Sequence, residues 1–172
     1  MEAGSLSALV EAVLLNAWRS DSAWHGEIHW RCVTATGLAL ASADPRVDRT
    51  LVFCFGLLHD ARRVNEVVDR EHGARAAEFA GVLRGDGALR LGDEAFAALD
   101  EALRLHSGGR VSTDPTIGTC WDADRLHLPR VSIVPDPALL STRAARAPER
   151  LDDAEALRRD GPPAWDELVA LV

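Results

Sequence analysis

The sequence predicts an all-α protein, folded as a single-domain helical bundle. Apolar residues recur three and four apart in one segment after another, the pattern of helices that each bury one face. Strand-like alternation is essentially missing. The length of 172 residues, with 47% hydrophobic and 27% charged residues, suits one compact domain.

Leu6, Leu9, Val10, Val13, Leu14, Ala17 and Trp18 place a first amphipathic helix over roughly residues 5–18. Ser20-Asp21-Ser22 supplies capping groups ahead of a second, over about 26–42. Its stripe runs through Ile28, Cys32, Val33, Thr36 and Leu40, with His29 at the edge. Asp44-Pro45 starts a third helix that passes Val47, Leu51, Val52 and Phe55 and ends at Leu58. It is apolar nearly all round in its second half, which marks a buried, central helix. Glu71 to Leu83 and Asp93 to His106 form two further helices, separated by Gly85-Asp86-Gly87 and stopped by Gly108-Gly109. Between Thr113 and Leu128, Asp114-Pro115 reads as a helix start. Val131 to Pro137 reads as an extended linker, followed by helices over 138–147, 149–159 and Trp165 to Leu171. The expected organisation is one domain over 1–172, with a core over about 22–128 and a helical appendage over about 138–172.

Composition removes several function classes. All 19 basic residues are arginine, and tyrosine is absent too. Without lysine there is no Schiff-base chemistry and no Walker-type phosphate loop; without tyrosine there is no phenolic nucleophile. A net charge of −8 argues against nucleic acid as a partner, because such binding needs clustered positive charge. The start Met1-Glu2-Ala3 lacks the basic region of a secretory leader. The longest apolar run, Leu51 to Leu58, is too short to span a bilayer. Cys32, Cys54 and Cys120 are odd in number and form no CxxC pair, so they read as reduced thiols of a cytoplasmic protein. Nothing fixes the oligomeric state.

The most informative pair is His59-Asp60, two polar residues that end a buried apolar helix. Alone, the pair is better explained by helix-end capping than by metal binding. Burying both without a partner costs several kcal/mol, and other residues offer to join them. His29 lies on an earlier helix, and Asp124 sits in Cys120-Trp121-Asp122-Ala123-Asp124-Arg125-Leu126. Two imidazoles and two carboxylates from separate helices make a site for one divalent transition metal: Mn, Fe, Co, Ni or Zn.

The order of these residues resembles the HD superfamily of metal-dependent phosphohydrolases. The likeness rests on His25-Gly26-x-x-His29-Trp30-x-x-Val33, Leu57-Leu58-His59-Asp60, Glu71-His72-Gly73-x-x-Ala76-Ala77 and Asp122-Ala123-Asp124-Arg125-Leu126. Together they span roughly residues 22–128, and in detail they look like a small bacterial branch. The resemblance implies that His29, His59, Asp60 and Asp124 ligate one metal. It also implies hydrolysis of a small phosphorylated molecule or nucleotide by activated water. His72 and His106 fall where some relatives add histidines for a second metal; here both are expected beside a single metal, His106 the nearer. Where the nucleotidase branch has a glutamate one turn after the HD pair, this chain has Arg63, after Arg62. Glu66 or Asp69 is therefore the candidate general base, and Arg62 and Arg63 are candidates for binding an anionic substrate. His25, one turn before His29, is a candidate to protonate a leaving group or to replace His29 as ligand. Asp122, Trp121 and His127 are expected next to the ligands. The alternatives are a non-catalytic metal- and nucleotide-binding sensor and a di-iron oxygenase of the same superfamily.

Overall fold

Eight α-helices succeed one another along residues 1–172 of the computed structural model. They are α1 (Ala3–Asn16), α2 (Glu27–Ala41), α3 (Arg49–Leu58), α4 (His72–Gly85), α5 (Asp93–Leu105), α6 (Pro115–Arg125), α7 (Glu149–Asp160) and α8 (Trp165–Val169). There is no strand, and no helix is long and apolar enough to cross a membrane.

The centre is α3, buried at every residue from Leu51 to Leu58. Helices α2, α5 and α6 surround it, and α1 touches it from a further side. Its closest neighbour is α2: a Cβ added at Gly56 would stand 2.2 Å from Thr34 Oγ1 and 2.9 Å from its Cα. That crossing fixes the C-terminal end of α3 against the N-terminal half of α2, where the functional residues meet. Helices α4 and α5 form an antiparallel pair whose Leu83, Leu99 and Leu103 close the core.

The residues after 128 are built into the domain. Leu140, Ala145 and Ala154 pack with Leu40 and Leu126 in a small second core. Leu168 and Val169 of α8 join the main core, and the Trp165 ring meets Phe53 edge-on at 5.7 Å. The main core also draws Leu6, Leu9, Val10 and Val13 from α1, so it reaches beyond the 22–128 span.

Three local expectations need correction. The third helix starts at Arg49, because Asp48 accepts the Leu51 N–H at 3.0 Å and caps it, whereas Asp44 accepts the Arg46 N–H in a turn. On α2, Ile28 is 59% exposed; the buried stripe runs through His29, Cys32, Val33, Thr36 and Leu40. His29 thus takes the core position given to Ile28. No α-helix forms over 138–147. There the Asp122 carboxylate accepts the N–H groups of Ser141 and Thr142, both at 2.7 Å, so those donors cannot close helical turns. A 3₁₀ turn over Pro137–Leu139 is all the helix that remains.

Candidate metal centre

Six side chains converge below the C-terminal end of α3. His59 and Asp60 follow that helix directly, and His29 comes from the first turn of α2. Asp124 comes from the last turn of α6, His72 from the first residue of α4, and His106 from the 3₁₀ turn after α5. All but Asp124 are buried, and Asp124 is mostly so.

They fall into two groups. His29, His59 and Asp124 form the first, and Asp60, His72 and His106 the second; within each, one ligand atom per residue lies within 4.8 Å of the others. In the first, His29 Nε2 is 3.2 Å from His59 Nε2 and 3.3 Å from Asp124 Oδ1. In the second, His72 Nε2 is 2.8 Å from His106 Nε2 and 3.4 Å from Asp60 Oδ1. Asp60 stands between them, its other oxygen 3.8 Å from His29 Nε2 and 3.7 Å from His59 Nε2. The four residues expected as one ligand set are therefore together. His72 and His106, expected beside that metal, form a second group with Asp60.

The donor chemistry fits a metal. His59 Nδ1–H donates to Gly56 O at 3.0 Å and His106 Nδ1–H to Leu103 O at 2.7 Å; His72 Nδ1–H donates in the same way to Asp69 O. With Nδ1 protonated, each neutral ring presents a lone pair at Nε2. The 2.8 Å approach of His72 to His106 then brings two acceptors together with no proton between them. Asp124 Oδ1 is buried without a hydrogen-bond partner. Neutral rings are what burial dictates: it pushes His72 and His106 down, and pushes His29 far down with help from Arg130. Burial raises Asp60 and Asp124, but the His25 hydrogen bond to Asp60 and the Arg130 charge beside Asp124 work against it, and both are held well below the usual carboxylate range. Metal–nitrogen bonds of about 2.0–2.1 Å put neighbouring ligand atoms about 2.9–3.4 Å apart, close to most of the spacings here. Histidine ligands typically donate their other N–H to a carbonyl or carboxylate, as three of these do. Buried His and Asp groups in this protein could hold a metal ion.

Gly73 sets the second group. A Cβ there would lie 2.4 Å from Leu103 O and 3.4 Å from His106 Cε1. Gly73→Ala should push α4 off α5, moving His72 from His106. The expected cost is about 1–3 kcal/mol in urea unfolding.

The other predicted residues separate sharply. His25 Nδ1 is 2.9 Å from Asp60 Oδ2, and Trp30 Nε1–H fixes its backbone by donating to His25 O at 2.6 Å. His25 lines the cavity, while His29 stands with His59 and Asp124 in the first group. Arg63 also lines it, 3.4 Å from Asp60 Oδ1, and donates to Val67 O at 2.7 Å. Arg62 does not line the cavity: its guanidinium stacks 3.8 Å from the Phe79 ring centre and 4.8 Å from that of Trp18. Glu66 reaches the cavity rim but is held by Arg19 and by Ser22 Oγ–H at 2.8 Å. Asp69 turns from the cavity, accepting the Val64 N–H at 2.9 Å and pairing with Arg75 at 2.5 Å. Asp122 braces the 141–142 backbone, and Trp121 Nε1–H donates to Ala102 O at 2.9 Å.

His127 is buried beside His29, with Nε2 2.9 Å from Thr36 Oγ1. Burial and Arg130 push it down to about 4. An unfolded imidazole titrates near 6.5, so below that pH the unfolded chain takes up a proton that the folded one refuses. Stability should therefore be intact above about pH 6.5 and fall as the pH drops toward about 4. The His127 share is on the order of 3 kcal/mol. His127→Gln should flatten that part of a stability–pH curve measured in urea.

One residue with no signal in the sequence completes the site. Arg130, in a 3₁₀ turn over Leu128–Val131, donates through Nε to Trp24 O at 2.8 Å and through Nη1 to His127 O at 3.0 Å. Its Nη2 lies 3.8 Å from Asp124 Oδ1 and 3.9 Å from Asp60 Oδ2, too far for hydrogen bonds. It also lies 3.3 Å from His25 Nδ1, an atom that serves Asp60. The guanidinium is thus fixed by carbonyls, with one nitrogen held over the ligands. A cavity of about 410 Å³ opens above, bounded by His25, Asp60, His72, His106, Asp124, Arg63 and Arg130 at its polar end. Comparison of the chain with family models, curated proteins and solved structures finds no match.

Proposed function

We propose that this protein is a metal-dependent phosphohydrolase of the HD kind that its motifs resemble, acting on a small phosphorylated molecule. The observation that carries this reading is the set of facing imidazole lone pairs and the orphaned Asp124 oxygen, with the fixed Arg130 guanidinium beside them. Asp60 between the two groups favours two bound metals over one.

His29, His59 and Asp124 would hold one metal, His72 and His106 a second, and Asp60 would serve both. A bound divalent metal supplies Lewis acidity toward water and the phosphoryl oxygens. Arg130 Nη2 binds a phosphoryl oxygen and orients it, a task suited to a planar, always-charged donor. Arg63 holds Asp60 in place from the side opposite His25. His25, with Nδ1–H donated to Asp60 Oδ2, presents Nε2 as the group that accepts or returns a proton. Glu66 is a poorer base: burial raises it, but the Arg19 and Ser22 hydrogen bonds prevail and hold it low. It orders the rim through Arg19.

The test is phosphate release from a panel of phosphomonoesters and nucleotides, with Mn²⁺, Co²⁺ or Ni²⁺ added to the chelator-stripped protein. Release that needs metal and disappears in His59→Ala supports the reading. Tight phosphate binding without release from any ester would instead make the protein a sensor. The two ligand groups also suit a di-iron oxygenase, which would consume oxygen when loaded with Fe²⁺ and release no phosphate.

A further inference from the structure

The cavity changes character from its base to its mouth. At the base are buried His25, Asp60, His72 and His106. The apolar part of the cavity lining is Val67, from the loop after α3, and Leu128, Val131, Ile133, Pro135 and Leu139, from the loop after α6. Val67 is 74%, Ile133 51% and Leu139 39% exposed, so this apolar lining is open to a ligand. Val64, Val68 and Val134 are exposed in the same two loops.

This wall is preformed. Ser132 adopts a left-handed conformation at φ 62°, and the Ile133 N–H bonds to Leu128 O at 3.3 Å. Arg125 Nη1 donates to Leu139 O at 2.5 Å, fastening the far end of the loop to α6. On the other side, Arg63 bonds the Val67 carbonyl. Arg63 and Arg125, which tie the two apolar loops, both line the cavity themselves, so head-group and tail recognition share one frame. Asp136, which lines the cavity next to Pro135, disfavours a chain of further phosphates along that loop.

We infer that the substrate is a phosphate monoester whose alcohol portion is apolar, an alkyl or aryl body rather than a nucleoside. The inference rests on the phosphohydrolase reading only for its head group; the tail is read from the wall. A cavity of about 410 Å³ lies in the range of small-molecule sites.

Alkylphosphonates with methyl, butyl, hexyl and octyl chains, and AMP, are titrated calorimetrically into the Mn²⁺-loaded protein, and hydrolysis of the corresponding alkyl phosphates is assayed in parallel. Affinity should rise about twofold to fourfold per methylene until the wall is covered, and hexylphosphonate should bind more tightly than AMP. Ile133→Asp, at an exposed position, should flatten the series. A flat series in the wild-type protein, or AMP binding as tightly as hexylphosphonate, overturns the inference. A rising series without hydrolysis of any ester supports the ligand class and contradicts the phosphohydrolase reading. Hydrolysis with a flat series does the reverse.

Discussion

Asp60→Ala should abolish metal-dependent phosphate release and remove most bound metal. Asp60 is the one carboxylate near both ligand groups, with Oδ1 3.4 Å from His72 Nε2 and Oδ2 3.7 Å from His59 Nε2. It also accepts the His25 hydrogen bond at 2.9 Å, so one truncation disables ligation and proton handling together. The loss in activity should exceed the roughly 10–100-fold typical of a residue that merely supports a ligand. Stability gives an independent readout. A ligand present at 100–1,000 times its Kd stabilises the folded state by about 3–4 kcal/mol; chelator should remove that from the wild type and almost nothing from Asp60→Ala. Equal chelator shifts in thermal unfolding would contradict a metal site at Asp60.

Arg130→Ala should reduce kcat/KM for phosphate monoesters by about 10²–10³-fold, the usual cost of losing one preorganised donor to a developing charge. Arg130→Lys should recover only part of it, because an ammonium cannot bridge the Trp24 and His127 carbonyls while directing a third contact inward. Metal content should stay at its wild-type value in both variants, since no Arg130 nitrogen belongs to either ligand group. Inorganic phosphate should inhibit both more weakly. Unchanged inhibition by phosphate would remove Arg130 from anion binding.

What was legible in the sequence follows physical locality. The central helix shows itself because Leu51 to Leu58 is apolar on all faces, and a helix of that kind has nowhere to sit except the middle. His59-Asp60 stands out because a polar pair ending such a helix cannot be solvated. The partition between neighbours does not show. Arg62 and Arg63 are adjacent, yet one stacks on Phe79 and the other faces Asp60; which does which depends on how the turn after α3 meets α4. The second group of donors is hidden for a similar reason. His72 and His106 come from the ends of two helices, and only the close approach at Gly73 shows that those ends touch. A back-bond to the carbonyl three residues earlier recurs at His59, His72 and His106, but it is a property of helix ends, invisible in spacing. Arg130 and the apolar wall lie in irregular backbone, where periodicity carries no information. The absence of a helix over 138–147 does not show either, because the competitor for its backbone donors, the Asp122 carboxylate, is distant in sequence.

Two groups of donors, joined at Asp60, are proposed to hold metal. The most direct test is the metal stoichiometry of chelator-stripped protein, titrated with Mn²⁺ or Co²⁺ and measured by elemental analysis after desalting. Two ions per chain are expected in the wild type and one in His106→Ala. A protein that retains no metal, or a wild type and His106→Ala that both hold a single ion, would contradict the proposal.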